Sequence, residues 1–396
     1  MSASAVADPY LSLYAAYKRR DPKLADGLVL FSVPHWISDE LATALARAVL
    51  GSNGDAASLI ADVRSTPLVR PYEGRGWRIA DPARSVLLRE TTNRGDLIRG
   101  ADQFLSAWFA DGEGHAIGTP LGRETRWRFA YHVAPADPVA AVTALTTTLE
   151  ASARPELADF DAALRLFSER RPYLAAFATE EEFFRGLWRY RRGEYREAER
   201  TFRRVWEARA VAAPRVPPIA GHLLGRLVGH SKRKTKLNDA ILILEEAYNL
   251  ADEIRDDQGI VHIGSTLGTM LVRRGKADDL AEAARLLRIS LRLAHTNRER
   301  AIVLNNLGRA LTRLGSDHWF EAAEHLETAL TIGETSDDPE IRGQLHISLS
   351  ELAELQGDLP RAIQEMELAL DIHRRTTPSR VALDEARLHK LRHRTK

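Results

Sequence analysis

The stretch Arg298–Glu334, RERAIVLNNLGRALTRLGSDHWFEAAEHLETALTIGE, decides the fold. Leu307-Gly308, Leu311, Gly315, Ala322, Leu326 and Ala329 follow one another at spacings that fit two helices and a short turn. Small residues at Gly308, Ala322 and Ala329 let two antiparallel helices approach closely, and the leucines between them fill the seam. Gly315 falls where the first helix ends and a left-handed residue is expected.

The same order recurs. Leu224-Gly225, Ala240, Leu244 and Ala247 form one copy; Leu267-Gly268, Leu271, Gly275, Ala283, Leu287 and Leu291 form another; Leu349-Ser350, Gly357, Ala362, Met366 and Ala369 form a third. Gly186, Gly193, Tyr195, Ala198 and Phe202 make a shorter copy upstream. With five copies in agreement, the chain from Thr179 to about Thr376 resembles the tetratricopeptide repeats. From the glycine of the first helix to the first alanine of the second, the step is 12 residues at Gly186→Ala198, 15 at Gly225→Ala240, 15 at Gly268→Ala283 and 14 at Gly308→Ala322. The middle repeats therefore look like the long variant found downstream of bacterial signalling ATPases. The resemblance implies a mainly α fold with a right-handed superhelix over 179–376, and a basic helix over 377–396 closes its exposed apolar edge.

The rest of the chain is bounded by composition. A formal charge of +1 over 396 residues demands neither nucleic acid nor an anionic membrane. Without cysteine there is no disulfide, thiolate metal site or thiol nucleophile. Met1 to Pro9 lacks the basic and apolar regions of a signal peptide, and no run approaches a membrane span, so a cytoplasmic location is expected.

Asp8-Pro9 and Asp21-Pro22 each place a capping carboxylate before a proline, which predicts helix starts. Residues 1–20 form an arm whose Tyr10, Leu11, Tyr14 and Tyr17 read as a core-facing stripe. Within 21–93, Leu28–Val33 reads as a short helix stopped by Pro34. Ser38 caps a second helix ended by Gly51, and a third runs from Asp55. Leu68–Tyr72, the Glu73-Gly74-Arg75-Gly76 turn and Trp77-Arg78-Ile79 form a hairpin signal. Three helices and a hairpin suggest a winged helix. Phe31-Ser32-Val33-Pro34-His35-Trp36, with Trp77-Arg78-Ile79-Ala80-Asp81 and Arg84, resembles the winged-helix segment of STAND-class signalling ATPases. Ala80 stands where that family carries a histidine associated with sensing phosphate, which argues against that role here. No G-x-x-x-x-G-K-[S/T] run is present to cradle phosphates.

Residues 94–178 read as a helical connector, with Leu97, Ala101, Leu105 and Trp108 on one face, Val142 and Leu145 on another, and a loop at Gly112, Gly114 and Gly118. The proline-rich Ala212–Pro218 reads as a rigid break after the first repeat, and Ser379 as the cap of the final helix.

Catalytic constellations are scarce. The histidines are scattered; His318 and His325 are seven apart rather than the four a helical zinc pair needs, and neither a G-x-S-x-G elbow nor a dinucleotide fingerprint occurs. The expectation is no enzyme, no cofactor and no metal. An enzyme would need a site assembled in the connector, and clustered buried acids and histidines would be its sign. DNA binding is disfavoured because Asp55–Ser65, where a recognition helix would lie, offers only Arg64 as a cation, although the wing carries Arg70, Arg75 and Arg78. The basic run Ser231–Lys236 reads as a solvated loop between helices.

The resemblance implies that the first helix of each repeat lines a groove. The positions that face it are His222 and Arg226; Thr266, Thr269 and Arg273; Asn305, Asn306, Arg309 and Arg313. Asparagine can grip a peptide backbone and arginine can clamp a carboxylate, so the expected partner is a protein or peptide, an acidic segment in particular. Alternatively, Arg309 and Arg313 pair with Glu351 and Glu354 of the adjacent repeat. The expected role is a scaffold or sensor in bacterial signalling or defence, acting with a separately encoded ATPase or effector. The other reading is a winged-helix transcription regulator with a repeat sensor.

Overall fold

A computed structural model describes residues 8–51, 55–72, 74–90, 95–110, 119–151, 156–230, 234–335 and 338–394. The turn residue Glu73, the loop glycines 112, 114 and 118, and Ser231, Lys232 and Arg233 of the basic run lie outside them. The chain divides into two compact units, 1–192 and 193–396.

In the first unit, α1 (Pro9–Arg20) and α2 (Pro22–Ser32) start where the Asp-Pro pairs predict. The Asp8 carboxylate accepts from the Tyr10 amide, and that of Asp21 from the amides of Lys23 and Leu24. The expected short helix at Leu28–Val33 is instead the second half of α2. Gly27 does not interrupt it, because the bare Cα lets Leu59 and Val63 pack against the helix there.

Helices α3 (Asp39–Leu50) and α4 (Ala56–Ser65) follow, with Ser38 capping α3 and Gly51 closing it at φ 65°. The ribbon of β1 (Val69–Tyr72) and β2 (Gly76–Ile79) is antiparallel, with Val69 opposite Ile79, and Ile37 bridges to Trp77 from the far side. Phe31, Leu45, Val63, Trp77 and Ile79 form one core, against which Tyr10, Tyr14 and Tyr17 of the arm pack. Each such large side chain contributes about 1.5–3 kcal/mol relative to exposure.

The unit continues through α5 (Asp81–Glu90), α6 (Gly95–Ala110), α7 (Pro120–Val133), α8 (Pro138–Ala151), α9 (Leu157–Glu169), the single turn α10 (Arg171–Leu174) and α11 (Ala178–Arg191). The buried face of α6 is Ala101, Asp102, Leu105 and Phe109, one position further round than the predicted Trp108, which packs at the margin.

In the second unit α12 (Tyr195–Glu207) precedes four helix pairs: α13 (Val216–Gly229) with α14 (Lys234–Glu253), α15 (Asp257–Arg274) with α16 (Ala277–Leu293), α17 (Asn297–Leu314) with α18 (Trp319–Thr335), and α19 (Pro339–Gln356) with α20 (Leu359–Thr376). Each pair closes on its glycine. A Cβ on Gly225 would stand 2.5 Å from Leu244 Cγ, and one on Gly308 would stand 2.6 Å from Leu326 Cγ. In the last pair Ser350 takes that place, and its hydroxyl donates to the Ala362 carbonyl at 2.8 Å.

Gly275 and Gly357 end α15 and α19 in the left-handed region, at φ 75° and 84°. Gly315 differs from expectation. It ends α17 at φ 125° and ψ −179°, outside the left-handed helical region, and the chain continues into a 3-10 turn, 316–318.

The break after α12 is shorter than Ala212–Pro218: of that stretch only Ala212–Arg215 lie outside helices, and α13 begins at Val216. Pro217 and Pro218 are buried in the first turn of α13, where a missing amide costs nothing, and Gly221 of α13 abuts the Trp206 ring of α12. Lys234 and Lys236 lie in α14, not in a loop.

Helix α21 (Pro378–Arg394) begins one residue before the predicted cap, Ser379. Its Leu388 and Leu391 bury against Met366, Ala369 and Leu370, so it covers the apolar edge of the last pair as a solenoid requires. The structure is thus mainly α, a helical-repeat superhelix. No helix among the described residues is long and apolar enough to cross a membrane.

Candidate functional site

The first helices of the four pairs, α13, α15, α17 and α19, line a cleft of about 500 Å³. Seven of the nine predicted groove residues meet there: His222, Arg226, Thr266, Thr269, Asn305, Asn306 and Arg309. They come together because each pair repeats the same helix face at the same height.

Several are already engaged. His222 Nε2 lies 2.8 Å from Thr266 Oγ1, and its ring stacks on His262 at 6.5 Å between centroids. Thr269 donates to the Ser265 carbonyl. Asn306 Nδ2 donates to Ser265 Oγ at 2.8 Å, and Asn305 Oδ1 accepts from Ser348 Oγ at 2.7 Å. The asparagines expected to grip a peptide therefore tie α17 to α15 and α19.

Arg273 and Arg313 do not line the cleft. Arg273 donates to the Gly229 carbonyl, and Arg313 lies 2.7 Å from Glu351 while also donating to the Val272 carbonyl. The alternative pairing thus holds for Arg313 and fails for Arg309. Glu354 is taken by Arg387 and Arg394 of α21, and Arg309 makes no hydrogen bond or ion pair among the described residues.

Burial lowers the Arg309 pKa from the ordinary arginine value, against the opposing pull of Glu351. Burial, then the charge of Arg226, holds His222 well below the usual histidine range, and burial lowers His262 and His230 as well. At neutral pH the imidazoles are uncharged hydrogen-bonding groups.

The groove is polar and mixed in sign. Glu299 and Glu340 also line it, and Arg298 is held by Asp338 at 3.2 Å. His262 was legible: it lies four residues before Thr266 on one helix face. Glu340 and Gln344 were not, since they enter from the repeat beyond.

A second cavity, about 460 Å³, opens within the first unit beside His35, Trp36, Tyr131 and Arg165. Beneath it lies the cluster of buried acids and histidines that would signal an enzyme. Asp102 Oδ1 is 2.8 Å from His132 Nδ1 and 2.6 Å from Arg170 Nη2. Glu169 is 2.9 Å from Arg84, accepts from the Tyr131 hydroxyl at 2.9 Å and lies 3.5 Å from His35 Nε2.

Burial drives His132 down to about 4 against the pull of Asp102, and His35 likewise to about 4. Burial alone would raise Glu169, but the His35 imidazole facing it and the Arg84 charge outweigh it and hold the carboxyl well below the usual range. Arg84 also donates to the carbonyls of Ser32 and Val33, so the cluster pins the end of α2 to α5, α7 and α9.

Around Asp55–Arg78 the charges are paired: Lys23 with Asp55 at 3.6 Å, Arg64 with Asp39 at 2.9 Å, Arg75 with Glu124 at 2.6 Å and Arg78 with Asp81 at 3.6 Å. Arg70 caps the carbonyls of Pro67 and Val69. The surface is mixed in sign rather than basic.

Among solved structures, the chain resembles a STAND protein with a tetratricopeptide repeat sensor from Pyrococcus horikoshii, at 14% identity and a TM-score of 0.51, over 94% of this chain and 53% of that one. It also matches a thermophilic tetratricopeptide repeat protein of Thermus thermophilus (21% identity, TM-score 0.38, 54% of this chain and 98% of that one) and yeast Tom70 (15%, 0.37, 98% and 88%). This chain spans about half the length of the STAND structure. No protein-family model and no curated protein matches it. The first likeness is one of fold, the tetratricopeptide-repeat architecture that the recurring Leu-Gly…Ala pattern predicts.

Proposed function

We propose that the chain is a non-catalytic protein-interaction scaffold or sensor that holds an acidic segment of a partner protein in the cleft across α13, α15, α17 and α19. The observation that carries this reading is Arg309, a guanidinium facing the cleft with no ion-pair partner of its own among the described residues. A half-buried cation in that position gains most from a carboxylate brought by a ligand. The neutral imidazoles of His222 and His262 beside it offer hydrogen bonds to a peptide backbone.

The setting we propose is bacterial signalling or defence, beside a separately encoded ATPase or effector. What supports it is the order of elements after the arm, α2, the bridging Ile37, α3, α4 and the β1–β2 ribbon, which resembles a winged helix, with helical repeats further along the chain. The paired charges around Asp55–Arg78 favour a protein-facing role for that unit over DNA binding. The buried cluster under the second cavity supports a structural role, since Asp102, His132, Arg170 and Arg84 are bonded to one another and to backbone rather than aimed at a substrate.

The test is capture from native cells with intact protein beside the Arg309→Glu variant. Loss of one acidic-segment partner with the variant is expected. Equal capture by both would remove the cleft from the reading.

A further inference from the structure

Helix α21 is held firmly to its last turn. Leu388 and Leu391 are buried beneath it, Arg392 lies 2.6 Å from Glu367, and Arg394 pairs with Glu354. On its exposed outer face, one turn apart, His389 and His393 point their rings at each other. Their Nε2 atoms are 3.0 Å apart and the ring centroids 4.2 Å.

We propose that His389 and His393 form a two-imidazole site for a divalent transition-metal ion of tetragonal preference, Cu²⁺ or Ni²⁺. The spacing supports this. Two nitrogens bound at about 2.0 Å to one ion lie about 2.8 Å apart when they subtend a right angle, and about 3.3 Å apart at the tetrahedral angle. The observed 3.0 Å lies between the two, so the rings need almost no movement to close on an ion, and the affinity order of nitrogen ligands for divalent metals puts Cu²⁺ first.

With no metal bound, the same geometry lets one Nε2–H donate to the other Nε2. Metal binding requires the donating ring to move that proton to Nδ1, so that both rings ligate as neutral imidazoles, and it replaces one hydrogen bond by two coordinate bonds.

The surroundings allow a cation. Arg374, Arg392 and Arg394 would repel it, but each is paired with an acid, Glu385, Glu367 and Glu354 respectively. Lys390 is the next residue along the helix and points from an exposed position. Glu385, one turn before His389, is in register to supply an oxygen but is held by Arg374 at 2.9 Å. No cluster of three or more metal-ligating side chains exists among the described residues, so the remaining coordination positions belong to water. The site is therefore open, able to accept a further ligand at the metal.

The experiment titrates the full chain, without a histidine tag, with Cu²⁺ and separately with Zn²⁺. It follows copper by its visible d–d band and by nitrogen hyperfine structure in its paramagnetic resonance. The expected result is one equivalent of Cu²⁺ with two nitrogen ligands. His389→Ala and His393→Ala should each weaken it about tenfold or more while leaving helicity unchanged, because both residues are exposed. Copper bound equally by both variants would place it on other histidines and overturn the proposal, as would tighter binding of Zn²⁺ than of Cu²⁺ at this pair.

Discussion

His373 Nδ1 lies 2.6 Å from Asp384 Oδ2, and both side chains are sealed from solvent. His373 belongs to the second helix of the last pair and Asp384 to the closing helix, so one polar bond inside an apolar contact fixes how α21 is seated. On its other edge the imidazole rests on the Cα of Gly343, where a Cβ would collide with Nε2. A residue without a side chain is what lets the ring reach Asp384.

Replacing Asp384 with Ala should therefore cost about 3 kcal/mol, because it leaves a buried imidazole without its acceptor. The loss should be local. Hydrogen exchange in α21 and α20 should accelerate while α13 and α14 keep their protection, since a repeat array couples mainly neighbour to neighbour. Uniform acceleration along the unit would show that α21 is not a separable cap.

The buried His132 makes stability dependent on acid. Its imidazole ionises at about 4 in the folded chain against 6.5 for the free side chain. Above 6.5 it is neutral in both states and carries no penalty. As pH falls from 6.5 towards 4, only the unfolded chain takes up the proton, so folding loses stability, by about 2 kcal/mol at pH 5. Below its own free value of 4.5, Glu169 adds a further loss, since its folded carboxyl is held lower. Urea unfolding at pH 7 and pH 5 measures the difference, and His132→Gln should shrink it even if the variant is weaker at both.

The repeats were legible because their signal is local and steric. Gly268 and Gly308 are small for a reason that lies 19 and 18 residues away, at Leu287 and Leu326, within one helical hairpin. Capping residues such as Asp8, Ser38 and Thr296 act over two or three positions and were equally readable in principle. The charge network of the first unit was not. Asp102 finds Arg170 68 residues away, and Arg84 finds Glu169 85 residues away, with no periodicity to announce either. In the groove, the sequence placed the right faces together but could not say which polar groups were already taken. Asn305 and Asn306 look free until Ser348 and Ser265 are seen across the helix boundary. The four-residue spacing of His389 and His393 is visible in the sequence, but only the fold shows that both lie on the exposed face of α21 with their rings together.

The close approach at Gly308 can be measured by a double-mutant cycle. Alanine at that position is a better helix former than glycine by about 1 kcal/mol, but its methyl would stand 2.6 Å from Leu326 Cγ. Overpacking of this kind costs about 1–3 kcal/mol, so Gly308→Ala should be neutral to destabilising. With Leu326→Ala already made, the methyl has room and Gly308→Ala should stabilise. A coupling energy near zero would mean that the glycine is not there for the leucine.

Arg309 and Arg313 lie one turn apart on α17 and should respond in opposite directions to the same change. Arg313 is ion-paired to Glu351, and the Glu351 side chain is only 16% exposed. Arg313→Met should therefore lower stability by about 1 kcal/mol after solvent screening, by leaving that carboxylate without its partner. Arg309 has no such partner among the described residues, and burial opposes its charge. Arg309→Met removes a partly desolvated cation and keeps most of the apolar stem, so stability should hold or rise by up to about 1 kcal/mol. A residue whose removal favours the fold, kept on the wall of a cleft, is the trade that a binding site imposes. Paired urea titrations of the two variants decide it. If Arg309→Met proves as destabilising as Arg313→Met, the guanidinium is serving the fold, and the proposal that it awaits a partner's carboxylate loses its footing.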